Sequence, residues 1–244
     1  MKKDLSIVLE NENIAKDTYK MTLSSNLSSF MKAGQFINIK VNGHLLSRPI
    51  SICHIKDYSF VIIYKIVGEG TFKLSLMKRD DKLEIFGPLG NGFDTDVPDN
   101  DILIIGGGIG VPPLYQLARE MAFKGKSLNV VLGFNTRDYV FFEDEFKQIC
   151  ATFISTLDGS YGYKGNVIDL IKNKDLKGLV YACGPSKMLN AVEDSFENGY
   201  VSREARMACG IGACMACVCR DKKDENISYR VCADGPVFKI GQVI

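Results

Sequence analysis

The stretch Ile102-Leu-Ile-Ile-Gly106-Gly107-Gly108-Ile-Gly110-Val-Pro112-Pro113 decides how the middle of the chain folds. It is not a complete G-x-G-x-x-G motif, because Val111 stands where the third glycine would be. A short apolar strand runs into a glycine-rich loop, and the helical run Leu114-Tyr-Gln-Leu-Ala-Arg-Glu-Met-Ala follows at once. Two prolines pre-set the first helical turn. This order of strand, loop and helix is typical of a dinucleotide site with the pyrophosphate on the helix amides, and a purely structural turn is the alternative.

Three further apolar strands follow this loop and alternate with helical segments, at residues 128–133, 153–157 and 178–183. The alternation predicts a doubly wound parallel sheet, whose ligands bind beyond the carboxyl ends of the strands. Cys183 has no histidine in its own part of the chain, so we expect it to line the site and not to act as a nucleophile. The candidate dinucleotide contacts are Gly107, Gly108, Gly110, Cys183, Gly184 and Pro185.

The chain before this sheet is rich in short alternating strands, which predict a small antiparallel barrel. It carries two motifs: Arg48-Pro49-Ile50-Ser51 at the entry to a strand, and Gly68-Glu-Gly70-Thr71 at the start of a short helix that Thr71 could cap. A guanidinium can grip a pyrophosphate with two hydrogen bonds, and helix amides can bind the same anion. Each motif alone is more often an ion pair or a turn, but together they favour a nucleotide cofactor. From the residues alone, Ile63, Tyr64 and Lys65 form an ordinary barrel strand.

A third kind of pattern ends the chain, in the stretch Cys209-Gly-Ile-Gly-Ala-Cys214-Met-Ala-Cys217 and the later Cys232. Three thiols spaced C-x4-C-x2-C with a fourth downstream are the plant-type ligand pattern of a [2Fe–2S] cluster. Glycines in the x4 loop allow positive φ, so that amides can turn toward the sulfur atoms. A structural zinc site or a disulfide is the alternative, although zinc sites more often repeat as two closely spaced pairs. Cys219 is predicted to be a strand neighbour of Cys217 and not a ligand.

Composition excludes several classes of function. The 244 residues carry a formal net charge of +1, which argues against nucleic acid as the main partner. No apolar run is long enough for a membrane helix, and Met1-Lys-Lys-Asp-Leu-Ser is not followed by the apolar segment of a signal peptide. Eight cysteines without an export signal indicate thiols kept reduced in the cytoplasm, and hence metal or redox use. Neither histidine is expected to be a catalytic base.

Taken in order, these motifs resemble the ferredoxin–NADP reductase superfamily. R-P-x-S, G-x-G-T, G-G-G-x-G-x-x-P and C-G-P occur at the usual intervals over the first two domains. The C-terminal A-C-G-I-G-A-C-M-A-C-V-C and V-C-A-D-G-P-V-F resemble, more narrowly, the electron-transfer subunits of NAD-dependent, B-type dihydroorotate dehydrogenases. This resemblance covers essentially the whole chain.

The resemblance implies three domains: an FAD-binding β-barrel at residues 1–97, an NAD-binding α/β domain at 98–204 and a small [2Fe–2S] module at 205–244. It implies no general acid or base in this chain, which would act alone as a diaphorase. The expected partner is an FMN-containing catalytic subunit that oxidises dihydroorotate in pyrimidine biosynthesis, in a heterotetramer of two plus two. It assigns FAD to Arg48, Pro49, Ile50, Ser51, Ile63, Tyr64, Lys65, Gly70 and Thr71, NAD to the glycine loop and Cys183-Gly184-Pro185, and iron to Cys209, Cys214, Cys217 and Cys232.

Other interpretations stay open at this point. A subunit of the same superfamily could serve a hydrogenase, a sulfite reductase or a ferredoxin-dependent transhydrogenase, although some of those relatives have Asp where this chain has Cys209. A non-catalytic module with a structural zinc is the alternative from another class. The residues do not decide between NAD and NADP, nor the direction of electron flow. Met207 and Met215 are predicted to lie on the partner surface, with burial in the cluster loop as the alternative.

Overall fold

Six antiparallel strands close into a barrel at the start of the chain in the computed structural model, which describes residues 2–244. Neighbouring strands follow the order β1-β2-β5-β4-β3-β6, and β1 pairs with β6 to complete the closure. One short helix, α1, connects β5 to β6. The bounds are β1 Lys2–Ala15, β2 Thr18–Ser24, β3 Phe36–Ile39, β4 Arg48–Lys56, β5 Ser59–Lys65, α1 Glu69–Ser75 and β6 Lys82–Leu89.

Strand β5 explains how the barrel meets the next domain. Its residues Phe60, Ile62 and Tyr64 point into the barrel core, as the period-2 alternation of a strand requires. The alternate residues Val61 and Ile63 are also buried, but they pack in the core of the α/β domain. A strand that is buried on both faces must be apolar throughout, and this is why the sequence of β5 shows no polar alternation.

The second domain is a seven-stranded sheet in the order β10-β9-β8-β7-β11-β12-β15. All of its pairings are parallel except that of β15, which runs antiparallel to β12. The predicted barrel and doubly wound sheet are therefore confirmed. The bounds are β7 Asp101–Gly107, α2 Pro112–Phe123, β8 Ser127–Phe134, α3 Glu143–Lys147, β9 Ala151–Thr156, β10 Tyr163–Lys164, α4 Val167–Asn173, β11 Leu179–Cys183, α5 Ser186–Ser195, β12 Gly199–Ser202, β13 Val218–Arg220, β14 Ser228–Arg230 and β15 Val237–Lys239.

Helices cover both faces of this sheet. On one face α2 and α3 pack against Ile102 and Ile104 of β7, and on the other face α4 and α5 pack against Leu103 and Ile105. All four of these strand residues are fully buried. Because consecutive strand residues point to opposite faces, the unbroken apolar run of β7 supplies both cores at once.

The C-terminal residues return to the sheet after a loop-rich excursion. Strands β13 and β14 form a separate two-stranded ribbon, and β15 then joins the edge of the large sheet beside β12. The three-part division of the chain at residues 97 and 204 stays a prediction.

The start of helix α1 and the lengths of the helices complete the description of the fold. Helix α1 begins at Glu69, so Thr71 is inside the helix and is not its cap as predicted; its hydroxyl instead accepts a hydrogen bond from the Val67 N–H at 2.9 Å and donates one to the Gly68 carbonyl at 3.1 Å. The longest helix, α2, has 12 residues. Between residues 2 and 244 no helix has both the length and the apolar character needed to cross a membrane.

Candidate cofactor-binding sites

A cavity of about 280 Å³ lies where the barrel, the α/β domain and the C-terminal residues meet. The barrel contributes the ends of β4 and β5, the sheet contributes Ile109 and Cys183, and the residues after β12 close the far side. Of the nine predicted FAD contacts, seven line this cavity: Pro49, Ile50, Ser51, Ile63, Tyr64, Lys65 and Thr71.

The other two predicted FAD contacts, Arg48 and Gly70, touch each other beside this cavity. A Cβ added to Gly70 would lie 2.4 Å from Nε of Arg48, so the guanidinium rests directly on the glycine. The guanidinium also bonds His44 Nδ1 at 3.0 Å and donates to the Leu46 carbonyl. Strand β4 and helix α1 thus bring a cation and a helix start together, which fits the phosphates of a dinucleotide.

Tyr64 lines the first cavity from the barrel side. Its side chain is 1% exposed, and its hydroxyl donates a hydrogen bond of 2.9 Å to Asn11 Oδ1. Burial raises the pKa of this phenol well above its usual value, although the bond to Asn11 opposes the shift. The hydroxyl therefore stays protonated at neutral pH and anchors β5 through its bond to Asn11.

A second cavity of about 300 Å³ lies beyond the carboxyl ends of β7, β8 and β9. Among the predicted dinucleotide contacts, Gly107, Gly108 and Pro185 line it. The hydroxyl of Ser155 is buried and has no hydrogen-bond partner within residues 2–244. An unpaired buried hydroxyl in the cavity wall is a group that a polar ligand can satisfy, so the site fits a dinucleotide.

The two cavities share part of one wall. Lys65 at the end of β5 and Ile109 in the glycine loop line both of them. The Lys65 ammonium lies 4.3 Å from the centre of the Tyr139 ring, a cation–π contact that joins the barrel to the α/β domain. A ligand in one cavity is therefore separated from a ligand in the other by little more than these two side chains.

The remaining predicted dinucleotide contacts allow close packing at the cavity edge. A Cβ on Gly110 would lie 2.4 Å from the backbone N of Gly184, and a Cβ on Gly184 would lie 2.6 Å from Cε of Met188. The glycine loop can thus rest directly on the end of β11. Cys183 is 2% exposed at this contact, and burial raises the pKa of its thiol well above the usual value, as expected of a residue that is not a nucleophile.

The first turn of α2 offers fewer free amides than predicted. Pro112 and Pro113 have no N–H, and the N–H groups of Val111 and Leu114 are already bonded to the carbonyls of Gly108 and Val111. The cavity accordingly lies over Gly107 to Ile109 and not over the helix itself. This differs from the predicted placement of a pyrophosphate on the α2 amides.

The four cysteines predicted to bind iron lie together in the loop-rich C-terminal part. Backbone N–H groups point at their sulfur atoms: those of Ile211 and Ala213 lie 3.4 and 3.3 Å from Cys209 Sγ. The N–H of Gly212 donates to Cys232 Sγ at 3.1 Å, and that of Cys232 donates to Cys217 Sγ at 3.4 Å. Gly210 and Gly212 have φ of 71° and 82°, and this left-handed backbone turns the amides inward.

The two ends of this set differ electrostatically. Partial burial acts to raise the pKa of Cys209, but bonds from the amides of Ile211, Cys214 and Ala213 and from the Cys214 thiol outweigh it and lower the pKa to about 6. Burial and the neighbouring Cys217 thiol raise the pKa of Cys232 to about 12. The amide donors near Cys209 thus stabilise a thiolate, the form that binds iron.

Side-chain hydrogen bonds join Cys209 to Cys214 and Cys217 to Cys232, and Cys209 also acts on Cys232 by raising the pKa of its thiol. No three His, Cys, Asp or Glu side chains within residues 2–244 are grouped around a single position that would suit one ion. Tetrahedral zinc needs four ligands about one ion, whereas a [2Fe–2S] cluster takes two thiolates on each iron. Thiols joined two by two are the ligand set that a [2Fe–2S] cluster takes.

Cys219 and both histidines have local roles. Cys219 lies in β13, as predicted, and its thiol is directed at the Tyr229 carbonyl at 3.6 Å. His44 contacts Arg48, and His54 Nδ1 lies 3.0 Å from Gln116 Oε1 on α2. Neither histidine lines either of the two cavities.

Several lining residues escaped the sequence analysis. Strand β12 was not predicted, so the residues that follow its carboxyl end at the first cavity were missed with it. Because ligands bind beyond the carboxyl ends of parallel strands, these residues could have been predicted once β12 was known. Residues such as Tyr139 carry no sequence signal of any kind. The missed residues are Phe36, Val67, Ser202, Arg203, Glu204, Ala205 and Pro236 in the first cavity, and Thr18, Tyr139, Phe141, Ser155, Gly165, Asn166 and Met188 in the second.

Comparison with known families matches two parts of the chain. Residues 204–244 match the iron–sulfur cluster binding domain of dihydroorotate dehydrogenase B. Residues 104–194 match the oxidoreductase NAD-binding domain. The first match contains all four paired cysteines, and the second contains the glycine loop and Cys183.

Two relatives with one name match this chain over its whole length. The electron transfer subunit of dihydroorotate dehydrogenase B (NAD(+)) from Fusobacterium nucleatum is 46% identical over 257 residues, covering 100% of this chain and 99% of that protein. The subunit of the same name from Bacillus pumilus is 45% identical, covering 100% and 98%. Among solved structures, an NADH-dependent reduced ferredoxin–NADP oxidoreductase superimposes with a TM-score of 0.88 at 29% identity, covering 99% of this chain and 90% of that one.

Proposed function

This chain belongs to the family of electron transfer subunits of NAD-dependent dihydroorotate dehydrogenase B, and from that membership we propose that it passes electrons between dihydroorotate oxidation in a partner subunit and NAD. One observation carries the proposal: the cavity lined by Lys65 and Ile109 on one side reaches Met207 and Pro236 of the cysteine-bearing part on the other. A group bound there faces both the dinucleotide cavity and the thiol residues. No residue is required as a general acid or base.

Three cofactors fit the residues present: FAD, NAD and a [2Fe–2S] cluster. When bound, FAD supplies the one property the others lack, since it exchanges a hydride with NAD(H) and single electrons with an iron–sulfur cluster. Arg48, Gly70 and Thr71 would hold its phosphates, and Pro49, Ile50, Ser51, Ile63, Tyr64 and Lys65 would line its ring system. The contacts between Arg48 and Gly70 support this assignment.

NAD would occupy the second cavity, with Gly107 and Gly108 beneath it, Pro185 beside it, and Gly110, Cys183 and Gly184 shaping the edge. Cys209, Cys214, Cys217 and Cys232 would bind the two irons, and the amides of residues 211–213 would donate to the thiolate sulfur atoms and stabilise their negative charge. The water-excluding burial of Cys217 and Cys232, 3% and 2% exposed, would protect one side of the cluster.

The partner would dock on the exposed side of the cysteine loop. Cys214 is exposed there, and Ile211, Met215 and Val218 beside it are 41%, 55% and 40% exposed. Apolar side chains that remain exposed around a loop of this kind are typical of an interface. Met207, by contrast, lines the cavity and is part-buried, so it would face the flavin and not the partner. The partner would be the FMN-containing catalytic subunit, with two copies of each chain in the complex.

A cytoplasmic location accompanies this proposal. All eight cysteines are free in the part of the chain that the structure describes, and thiols destined for iron must stay reduced. A ferredoxin-dependent transhydrogenase subunit is the second candidate, because the likeness at a TM-score of 0.88 extends over the whole chain. The higher identity of 46% to the dihydroorotate relatives favours the first.

The test is an anaerobic titration of the purified chain with NADH, followed by visible and electron paramagnetic resonance spectra. We expect a flavin band to bleach and a reduced [2Fe–2S] signal to appear, and Cys214→Ser to remove the iron signal while leaving the flavin reducible. Cys219→Ser is the matched control and should keep both signals, because Cys219 bonds only to the Tyr229 carbonyl.

Other results would contradict the proposal in identifiable ways. A colourless protein with stoichiometric zinc would exclude the electron-transfer function. A flavin that NADPH reduces and NADH does not, in a chain that fails to support dihydroorotate-dependent NAD reduction with the co-expressed catalytic subunit, would favour the transhydrogenase candidate.

A further inference from the structure

One buried polar side chain of the barrel reaches into the cysteine loop. Asn38 on β3 is 5% exposed, and its Nδ2 donates a hydrogen bond of 3.2 Å to the carbonyl oxygen of Cys209, which is 171 residues away in sequence. This is the one hydrogen bond of its side chain within residues 2–244. A buried amide that lost this partner would bear the full cost of its desolvation, so the contact ties the loop to the barrel.

The loop meets Asn38 with a glycine. Gly210 follows Cys209 with φ of 71°, and a Cβ added there would lie 2.3 Å from Nδ2 of Asn38. Any larger residue would have to displace the asparagine or lift the loop. The contact therefore requires the Asn38 side chain on the barrel and, on the loop, a residue without a side chain, Gly210.

Asn38 also lies next to the first cavity, the one proposed above to hold FAD and called the flavin cavity from here on. In the β3–β4 ladder it is paired with Pro49, which lines that cavity. Neighbouring strands lie about 4.8 Å apart, so a single inter-strand spacing separates the cavity wall at Pro49 from the residue that holds Cys209. The cross-strand pair of Asn38 and Pro49 thus links the position of Cys209 to the cavity wall.

A second asparagine of the barrel region holds the other cysteine segment. Asn91 follows β6, and its Nδ2 donates to the carbonyls of Asp234 at 3.0 Å and Ala233 at 3.4 Å, while its N–H donates to the Gly235 carbonyl at 2.7 Å. These residues come directly after Cys232. The Asn91 side chain is exposed, so water can replace its bonds at lower cost than at Asn38.

We propose that Asn38 and Asn91 are positioning residues that fix the two cysteine-bearing segments against the flavin barrel, with Asn38 making the larger contribution. The inference rests on the proposed function, because it concerns where the iron-binding residues sit relative to the flavin cavity. It assigns no electron-transfer step to either side chain. Without these amides the two cysteine segments are held less tightly against the barrel.

The experiment compares Asn38→Asp, Asn91→Asp and the control Asn13→Asp in the full-length chain. Aspartate keeps the shape of asparagine but presents a carboxylate oxygen to the carbonyl in place of the N–H donor. Asn13 also bonds backbone carbonyls, those of Ala15 and Thr18, but it lies far from the cysteines in the barrel's first hairpin. Hydrogen exchange by mass spectrometry reports loop opening, and the rate of iron loss to a chelator reports the hold on the ion.

We expect Asn38→Asp to speed exchange of the 208–214 peptide and loss of iron by about tenfold, and Asn91→Asp to speed exchange of the 230–236 peptide by about threefold. Asn13→Asp should change neither. The barrel peptide 59–65 should exchange at the wild-type rate in all three variants. Unchanged loop exchange in Asn38→Asp, or equal acceleration in the barrel peptide, would overturn the inference.

A double-mutant cycle supplies a second measurement, which is read from hydrogen exchange alone and not from the rate of iron loss. Gly210→Ala should accelerate loop exchange strongly in the wild-type background and clearly less in Asn38→Ala, where the collision partner is gone. Equal effects in both backgrounds would contradict the contact. A wild-type chain that binds no iron would overturn the proposed function, whereas the cycle would still decide whether Asn38 holds the loop.

Discussion

The flavin barrel and the cysteine loop at residues 208–217 touch each other, but different forces hold them in place. The barrel encloses fully buried side chains such as Met21, Leu23 and Ile62, and burial of apolar surface stabilises it by roughly 25 cal/mol per Å². In the loop Cys217 is buried, at 3% exposed, but the apolar side chains of Ile211 and Met215 are 41% and 55% exposed. The loop is held by amides directed at sulfur and by polar contacts from outside.

Those outside contacts are few and specific. Arg230 donates to the Gly212 carbonyl at 3.0 Å and is itself held by Asp234, through bonds of 2.9 and 3.0 Å. Asn38 adds the bond to Cys209. Backbone strain opposes these contacts, since Met215 has a φ of 56°, a value that residues other than glycine rarely adopt. We therefore expect the barrel to fold without a ligand and the loop to depend on bound iron for much of its order.

Removal of iron should produce the largest contrast between the two regions. Chelation under reducing conditions should accelerate hydrogen exchange of the 208–217 peptide by about a hundredfold, because the thiolate–iron bonds that close the loop are lost. Barrel peptides should keep their protection. Exchange by mass spectrometry on the loaded and stripped chain measures both at once, and equal acceleration in the two regions would contradict the contrast.

The same contrast decides what the sequence could predict. Barrel and sheet follow from apolar runs such as Ile102 to Ile105, and the cysteine set follows from its spacing, because both signals are local. The pairing of Asn38 with Cys209 is not local, and no pattern near either residue announces it. The helix cap was predicted wrongly at Thr71 for a related reason: its hydroxyl bonds Val67 and Gly68 from inside the helix, a choice made by the β5–α1 turn and not by the residue type.

Gly70 tests whether the barrel side of the flavin cavity is as closely fitted as the loop side. In Gly70→Ala the new Cβ would collide with Arg48, so the guanidinium must leave its place beside the helix start. Loss of a charge-assisted contact of this kind should weaken FAD binding by about tenfold to a hundredfold. Fluorescence titration of the stripped protein with FAD measures it.

Gly68→Ala is the matched control for this change. A Cβ on Gly68 meets nothing within 4 Å, and its φ of 173° is extended backbone that any residue adopts. We expect near wild-type FAD affinity from it. Equal weakening in both variants would show that α1 is sensitive to any glycine replacement, and the specific fit of Arg48 to Gly70 would be wrong.

The smallest expected effect is a pH dependence of stability that arises at the contact between the barrel and α2. Burial lowers the pKa of His54 below its usual value of 6.5, Arg119 and Lys56 act in the same direction, and the bond to Gln116 opposes them. Below pH 6.5 the unfolded chain therefore binds a proton more readily than the folded chain, so His54 makes the stability fall as the pH drops from about 6.5 through the folded pKa. Urea unfolding between pH 7.5 and 5.0 should show a shallower fall for His54→Gln than for the wild type. Parallel curves would mean that His54 is equally easy to protonate in both states. Exchange of the cysteine loop should be unaffected by the substitution, because His54 contacts Gln116 and Tyr115 of α2 and not the loop in the described part of the chain.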